Sequence, residues 1–161
     1  MSLKISYCRY RLLFKHPFGT AHGLRTGTDS VFIKVEENGC IGYGEATLPP
    51  YLEETVDSVI QRLIALIGNA MTDAVGLLSK LEEHPELLSE GPAARAALHT
   101  ALVDLKSKAI NSSVRQLDMV NTLKSPTTLM TVGSGDLKDI PIKLKDTLLS
   151  GAVKVKLGAS N

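Results

Sequence analysis

The chain has 161 residues, 43% of them hydrophobic and 22% charged, and a formal net charge of +1. That balance belongs to a folded, soluble protein rather than a disordered one, and the length suits one ordinary domain or one domain with part of a second. A charge this close to zero, with no basic stripe, excludes the usual nucleic-acid binder. The longest apolar run, VIQRLIALIG, is interrupted by Gln61 and Arg62 and falls short of a membrane span. The first residues lack the basic, apolar and small-residue order of a secretory signal, so a cytoplasmic location is expected, with no membrane and no nucleic-acid partner. Cys8 and Cys40 are too few and too far apart for a zinc knuckle and read as small buried side chains rather than a disulfide.

LKISYCRYRLLF (3–14) alternates loosely and is rich in Ile, Tyr and Leu, which predicts a strand. HPFGTAHGLRTGTDS (16–30) contains Pro17 and three glycines, which predicts a loop of functional length. VFIKVEENGCIGYGEA (31–46) reads as two strands joined by a tight Asn38-Gly39 turn, completing a three-stranded antiparallel sheet.

The period then changes to about 3.6. PPYLEETVDSVIQRLIALIGN (49–69) puts Val56, Val59, Ile60, Leu63 and Ile67 on one helical stripe. Glu53, Glu54 and Asp57 fall in its first turns, where carboxylates suit the positive end of the helix dipole, and they are assigned no metal. TDAVGLLSKLEEH (72–84) is a shorter helix with Thr72 as the candidate N-cap. SEGPAARAALHTALVDLKSKAI (89–110) is a third, and its alanines allow close approach to another element.

After Pro126, TTLMTV (127–132) predicts a strand, LKDIPIKLKDTLLSG (137–151) a helix with Pro141 in its first turn, and AVKVKLG (152–158) another strand. Strand, helix and strand within so short a span form one βαβ unit with parallel strands. Strand alternation puts Lys154 and Lys156 on one face of the last strand and Val153, Val155 and Leu157 on the other. By pattern alone this is also an ordinary half-exposed strand.

The order of these parts resembles the enolase superfamily. GYGEATLPPYLEET (42–55) resembles the end of its capping-domain sheet, and GPAARAALHTALVDLKSKAINSSVRQL (91–117) is similar to its alanine-bearing helix with Asp104. TTLMTVGSGD resembles the first barrel strand, and VKVKLG the Lys-x-Lys strand of the muconate-lactonising subgroup, nearest to the dipeptide epimerases that act on L-Ala-D/L-Glu. The resemblance implies an α+β capping domain over 1–125 and the start of a (β/α) TIM-like barrel over 126–161.

It further implies a Mg²⁺-dependent 1,1-proton transfer beside a carboxylate, through an enediolate. Lys156 would be a general base, with Lys154 the companion whose charge favours an uncharged Lys156. Arg25 would pair with the side-chain carboxylate of a dipeptide substrate, and Thr131 would face that substrate; a solvated loop arginine and a plain strand threonine are the alternatives. His22 reads as a loop residue, Tyr51 as a possible liner of the mouth, and Asp104 as an anchor of the domain interface. The family's metal ligands lie on barrel strands beyond those seen here, so no residue is assigned to metal. The chain alone is then expected to be inactive and, through its last strand's open edge, to form a homo-oligomer. Muconate cycloisomerase, o-succinylbenzoate synthase and a non-catalytic α+β binding or assembly module remain the other readings.

Overall fold

A computed structural model describes residues 2–20, 23–68, 73–87, 89–117, 127–145 and 151–157. The elements run β1 (Lys4–Thr20), β2 (Gly23–Glu37), β3 (Cys40–Leu48), α1 (Val56–Gly68), α2 (Ala74–Glu83), α3 (Pro92–Ala109), α4 (Val114–Leu117), β4 (Leu129–Val132), α5 (Ile140–Lys145) and β5 (Ala152–Val155). They divide into two compact units: residues 1–11 with 29–122, and residues 12–28 with 123–161.

The antiparallel sheet has the order β1-β2-β3, and the first unit holds β3, the parts of β1 up to Arg11 and of β2 from Asp29, and helices α1 to α4. β2 pairs with β3 from Asp29↔Leu48 to Glu37↔Cys40. Asn38 and Gly39 turn the chain between them with φ of 50° and 81°, the left-handed pair that a two-residue hairpin requires. Alternate β2 residues Val31, Ile33 and Val35 are buried against Val59 and Leu63 of α1, Leu77 and Leu81 of α2, and Leu98 and Leu102 of α3. Burying each such side chain contributes roughly 1.5–3 kcal/mol.

α3 meets β3 with almost nothing between the two backbones. Ala94, Ala97 and Ala101 are fully buried. A Cβ on Gly44 would lie 1.9 Å from the Ala97 carbonyl oxygen, and one on Gly42 2.0 Å from that of Ala101. The same helix closes the free edge of β3, a place where unpaired backbone groups would otherwise invite another chain. The Tyr43 N–H donates to Asp104 Oδ2 at 2.9 Å, and Lys108 Nζ donates to the Ile41 carbonyl at 3.0 Å and to Asp104 at 2.7 Å. Asp104 therefore anchors a helix to a sheet edge inside the first unit, which corrects its expected place at a domain interface.

The helix ends account for the other acidic residues. α1 begins at Val56, so only Asp57 of the three lies in its first turn, where it pairs with Arg9 at 2.7 Å. Thr55 caps α1, its Oγ1 accepting from the Ser58 N–H at 3.1 Å. Gly91 leads into α3 with no side chain to offer, and the buried Glu54 carboxylate takes over, accepting from the Ala93 and Ala94 N–H groups at 2.7 and 3.3 Å. Asp73 caps α2, accepting from the Gly76 N–H at 2.7 Å; Thr72 lies outside the described residues. Cys8 and Cys40 are free thiols, but Cys8 is exposed and Cys40 half-buried, so neither is the buried side chain that was expected.

In the second unit β4 and β5 are parallel, in register from Leu129↔Ala152 to Val132↔Val155. A 3-10 turn over Leu137–Asp139, capped by Asp136, leads into α5, whose second residue is Pro141. The segment predicted as a loop, 16–30, is instead mostly strand: β1 continues to Thr20 and β2 starts at Gly23. Pro17 fits there because β1 is an edge strand, where a missing N–H costs no ladder bond. An antiparallel bridge joins Gly19 to Ser134, whose N–H donates to the Gly19 carbonyl at 3.1 Å.

Two outcomes follow for stability. Gly44→Ala is expected to cost about 3 kcal/mol, at the upper end of overpacking, read as a lower urea midpoint; an unchanged midpoint contradicts the close contact. Burial disfavours the Asp104 charge, but the hydrogen bonds from Lys108 and the Tyr43 N–H outweigh it and hold the carboxyl below the ordinary aspartate value. The contribution is therefore present above that value and lost as pH falls through the lowered one. Asp104→Asn should flatten the acid limb of stability against pH while the wild type keeps it.

Candidate functional site

The second unit contains a cavity of about 670 Å³ lined by residues 13–18 of β1, Arg25 of β2, residues 130–133 of β4 and the segment after it, and Lys143 of α5. That volume is in the range of small-molecule sites. Its walls are apolar where Phe14, Phe18, Pro17, Met130 and Val132 contribute, and cationic where Lys15, Arg25 and Lys143 do. None of the described residues that line it is acidic.

Two rings organise the cations. Phe14 and Phe18 meet edge to face with centroids 6.5 Å apart. The Arg25 guanidinium lies over Phe14 at 5.4 Å, and the Lys156 ammonium over Phe18 at 4.8 Å. Phe14 and Phe18 sit four residues apart on one strand, hence on one face. The electron-rich face of each ring attracts a cation, a contact of about 0.5–2 kcal/mol, and so fixes a side chain that would otherwise range widely.

Arg25 and Thr131 thus line one cavity, with Arg25 on a strand rather than in a loop. Lys156 is half-buried, held by its N–H to the Val132 carbonyl at 2.9 Å and reaching a ring of the cavity wall. Lys154 is exposed and stands in register with Thr131, so the two share a face of the parallel pair with Lys156. Tyr51 belongs to the first unit and does not line this cavity, and His22 falls outside the described residues. Lys143, Phe14 and Phe18 are the residues that sequence reading missed. The signal for the rings was their four-residue spacing; Lys143 carried none, since on α5 the apolar Ile142 and Leu144 are exposed and the lysine is buried.

A sheet-and-helix capping unit followed by parallel strands joined through a helix is the architecture of the enolase superfamily. The chain belongs to the mandelate racemase / muconate lactonizing enzyme family, whose N-terminal domain matches residues 6–117. It is 34% identical over 160 residues to an L-Ala-D/L-Glu epimerase of Bacteroides thetaiotaomicron, covering 99% of this chain and 42% of that protein. A chloromuconate cycloisomerase of Cupriavidus pinatubonensis is 29% identical over 140 residues, 80% of this chain and 37% of its own. A dipeptide epimerase from Methylococcus capsulatus, solved with Mg and the dipeptide L-Arg-D-Lys, superposes with a TM-score of 0.80 at 24% identity, over 99% of this chain and 47% of that one. At that identity the likeness is one of fold. The chain spans less than half the length of these relatives.

The ring contact carries its own test. The ε-methylene protons of Lys156 should resonate upfield from ring current in the 161-residue chain, and Phe18→Leu should return them towards the ordinary lysine position. Identical shifts in both proteins would remove the contact.

Proposed function

We propose that the chain is part of a dipeptide epimerase acting on dipeptides with an acidic second residue, such as L-Ala-L-Glu and its D-epimer. The observation that carries the reading is the convergence of Arg25 and Thr131 in one cavity whose wall also holds Lys156 through Phe18. The Bacteroides relative, 34% identical and named for that activity, supports the substrate class.

Each residue has a role that its chemistry suits. The planar Arg25 fork accepts a side-chain carboxylate in two parallel hydrogen bonds, fixing the far end of the substrate. Thr131 offers one hydroxyl donor and acceptor beside it. The Lys156 amine takes the α-proton and the electron pair of the broken C–H bond moves into the adjacent carboxylate; inversion then needs a second acid, from outside the described residues, to return a proton on the opposite face. Lys154 shares the strand face with Lys156. Phe14 and Phe18 hold water off the reacting end.

Mg²⁺ is part of this proposal by relationship, since the Methylococcus structure contains it. Among the described residues no group of three His, Cys, Asp or Glu side chains could hold a metal ion, so the described part of the chain does not fit the ion. Lactonisation of a muconate is the second reading, supported by the cycloisomerase relative.

The test is α-proton exchange of L-Ala-L-Glu in D₂O with Mg²⁺, followed by NMR, on the chain extended to the length of its relatives. Exchange is expected, abolished by Lys156→Met and slowed about 100-fold by Arg25→Met, as for loss of one partner of a desolvated charge pair. Absent exchange, with turnover of muconate instead, would replace this reading with the second.

A further inference from the structure

Lys15 and Lys143 are the lysines of this cavity that the proposed chemistry does not use, and of the two Lys143 is the buried one. It lies on α5, with only 7% of its surface exposed. The buried part is its stem: no side-chain nitrogen of the described residues is both buried and unpartnered, so the ammonium itself keeps contact with the solvent of the cavity. Among the described residues no hydrogen bond or ion pair engages it. The stem is covered, and the head emerges at the cavity wall beside Gly135, where an added Cβ would stand 2.9 Å from Nζ. Absence of a side chain at position 135 is what leaves the ammonium its place.

Arg25 arrives at the same cavity from a different element, β2. Arg25 and Lys143, with Lys15 of β1, therefore line one cavity whose described lining contains no acid. A cavity lined by cations and apolar side chains, with no acid among its described residues, favours an anionic ligand over a neutral one. A single carboxylate has about four acceptor positions. It can take the Arg25 fork on one side and a Lys143 N–H on the other.

We propose that Lys143 is a second specificity residue of this site, forming with Arg25 a two-cation clamp for one carboxylate of the ligand. The inference rests on the reading of the cavity as the substrate site and deepens it: selectivity for an acidic side chain over its neutral amide comes from both cations. Lys143 touches the ligand's binding group and not its reacting carbon.

The test is calorimetric titration of the 161-residue chain, at low ionic strength, with L-Ala-L-Glu and with its near-isosteric neutral counterpart L-Ala-L-Gln. The wild type should prefer the glutamate dipeptide. Lys143→Met, which keeps the buried stem and removes only the charge, should lower affinity for L-Ala-L-Glu about tenfold and leave L-Ala-L-Gln unchanged, while Lys143→Arg should retain the preference. Should Lys143→Met fail to fold, Gly135→Ala provides the same reading, because its methyl displaces the ammonium and retains the charge. No preference in the wild type, or equal loss for both dipeptides in the folded variants, or no loss, would overturn the proposal. Preference lost on substitution but no α-proton exchange in the extended chain would sink the epimerase reading and keep the clamp. Exchange with the preference intact in Lys143→Met would do the reverse.

Discussion

Backbone contact between α3 and β3 is the constraint on which the first unit depends. Gly42 and Gly44 on the strand and Ala97 and Ala101 on the helix leave no layer of side chains between the two backbones. At that distance the helix can do two jobs that normally need separate elements. Its leucines close the core over Val31, Ile33 and Val35, and its Asp104 and Lys108 satisfy the edge groups of β3. A helix held one side-chain diameter further out would fill the core but leave the edge open. The Glu54 carboxylate completes the arrangement from outside the helix, supplying at its first turn the acceptor that Gly91 lacks.

The second unit solves a different problem, that of collecting positive charge with little negative charge nearby. Like charges repel and favour dispersal, yet Arg25 and Lys143 line one cavity and Lys156 touches its wall. Aromatic faces make this tolerable for Arg25 and Lys156, since Phe14 and Phe18 each offer a weak, partly desolvated partner that does not neutralise the cation. Full neutralisation by a carboxylate would consume the charge that an anionic ligand is to find there. The arrangement thus keeps cations ordered and still available.

Much of the first unit was legible because its signals are local. Asn38-Gly39 specifies its own turn, the stripe through Val59, Ile60 and Leu63 its own helix, and the alanines of α3 announce a close approach. The glycines opposite those alanines were equally visible, but only pairing in space reveals that the two sets meet. Residues 16–30 were misread because Pro17 and three glycines look like a loop one residue at a time. An edge strand tolerates a proline, and Gly19 is needed for close passage beside Ser134, where a Cβ would lie 2.1 Å from its carbonyl oxygen. Glu54 was assigned to its neighbouring helix, although the N-terminus it serves is 39 residues further along the chain. In the candidate site, Arg25, Thr131, Lys154 and Lys156 came from family resemblance. Lys143 had no such guide, and composition gives no reason to look for a buried lysine on a six-residue helix.

The central claim is that the cavity of the second unit receives an acidic dipeptide. Mapping L-Ala-L-Glu onto the isotope-labelled 161-residue chain by amide chemical shifts tests it without requiring turnover. Saturable shifts concentrated at Phe14, Phe18, Arg25, Thr131, Gly133 and Lys143 are the predicted result. Shifts confined to residues of the first unit, or none up to millimolar dipeptide, would contradict it.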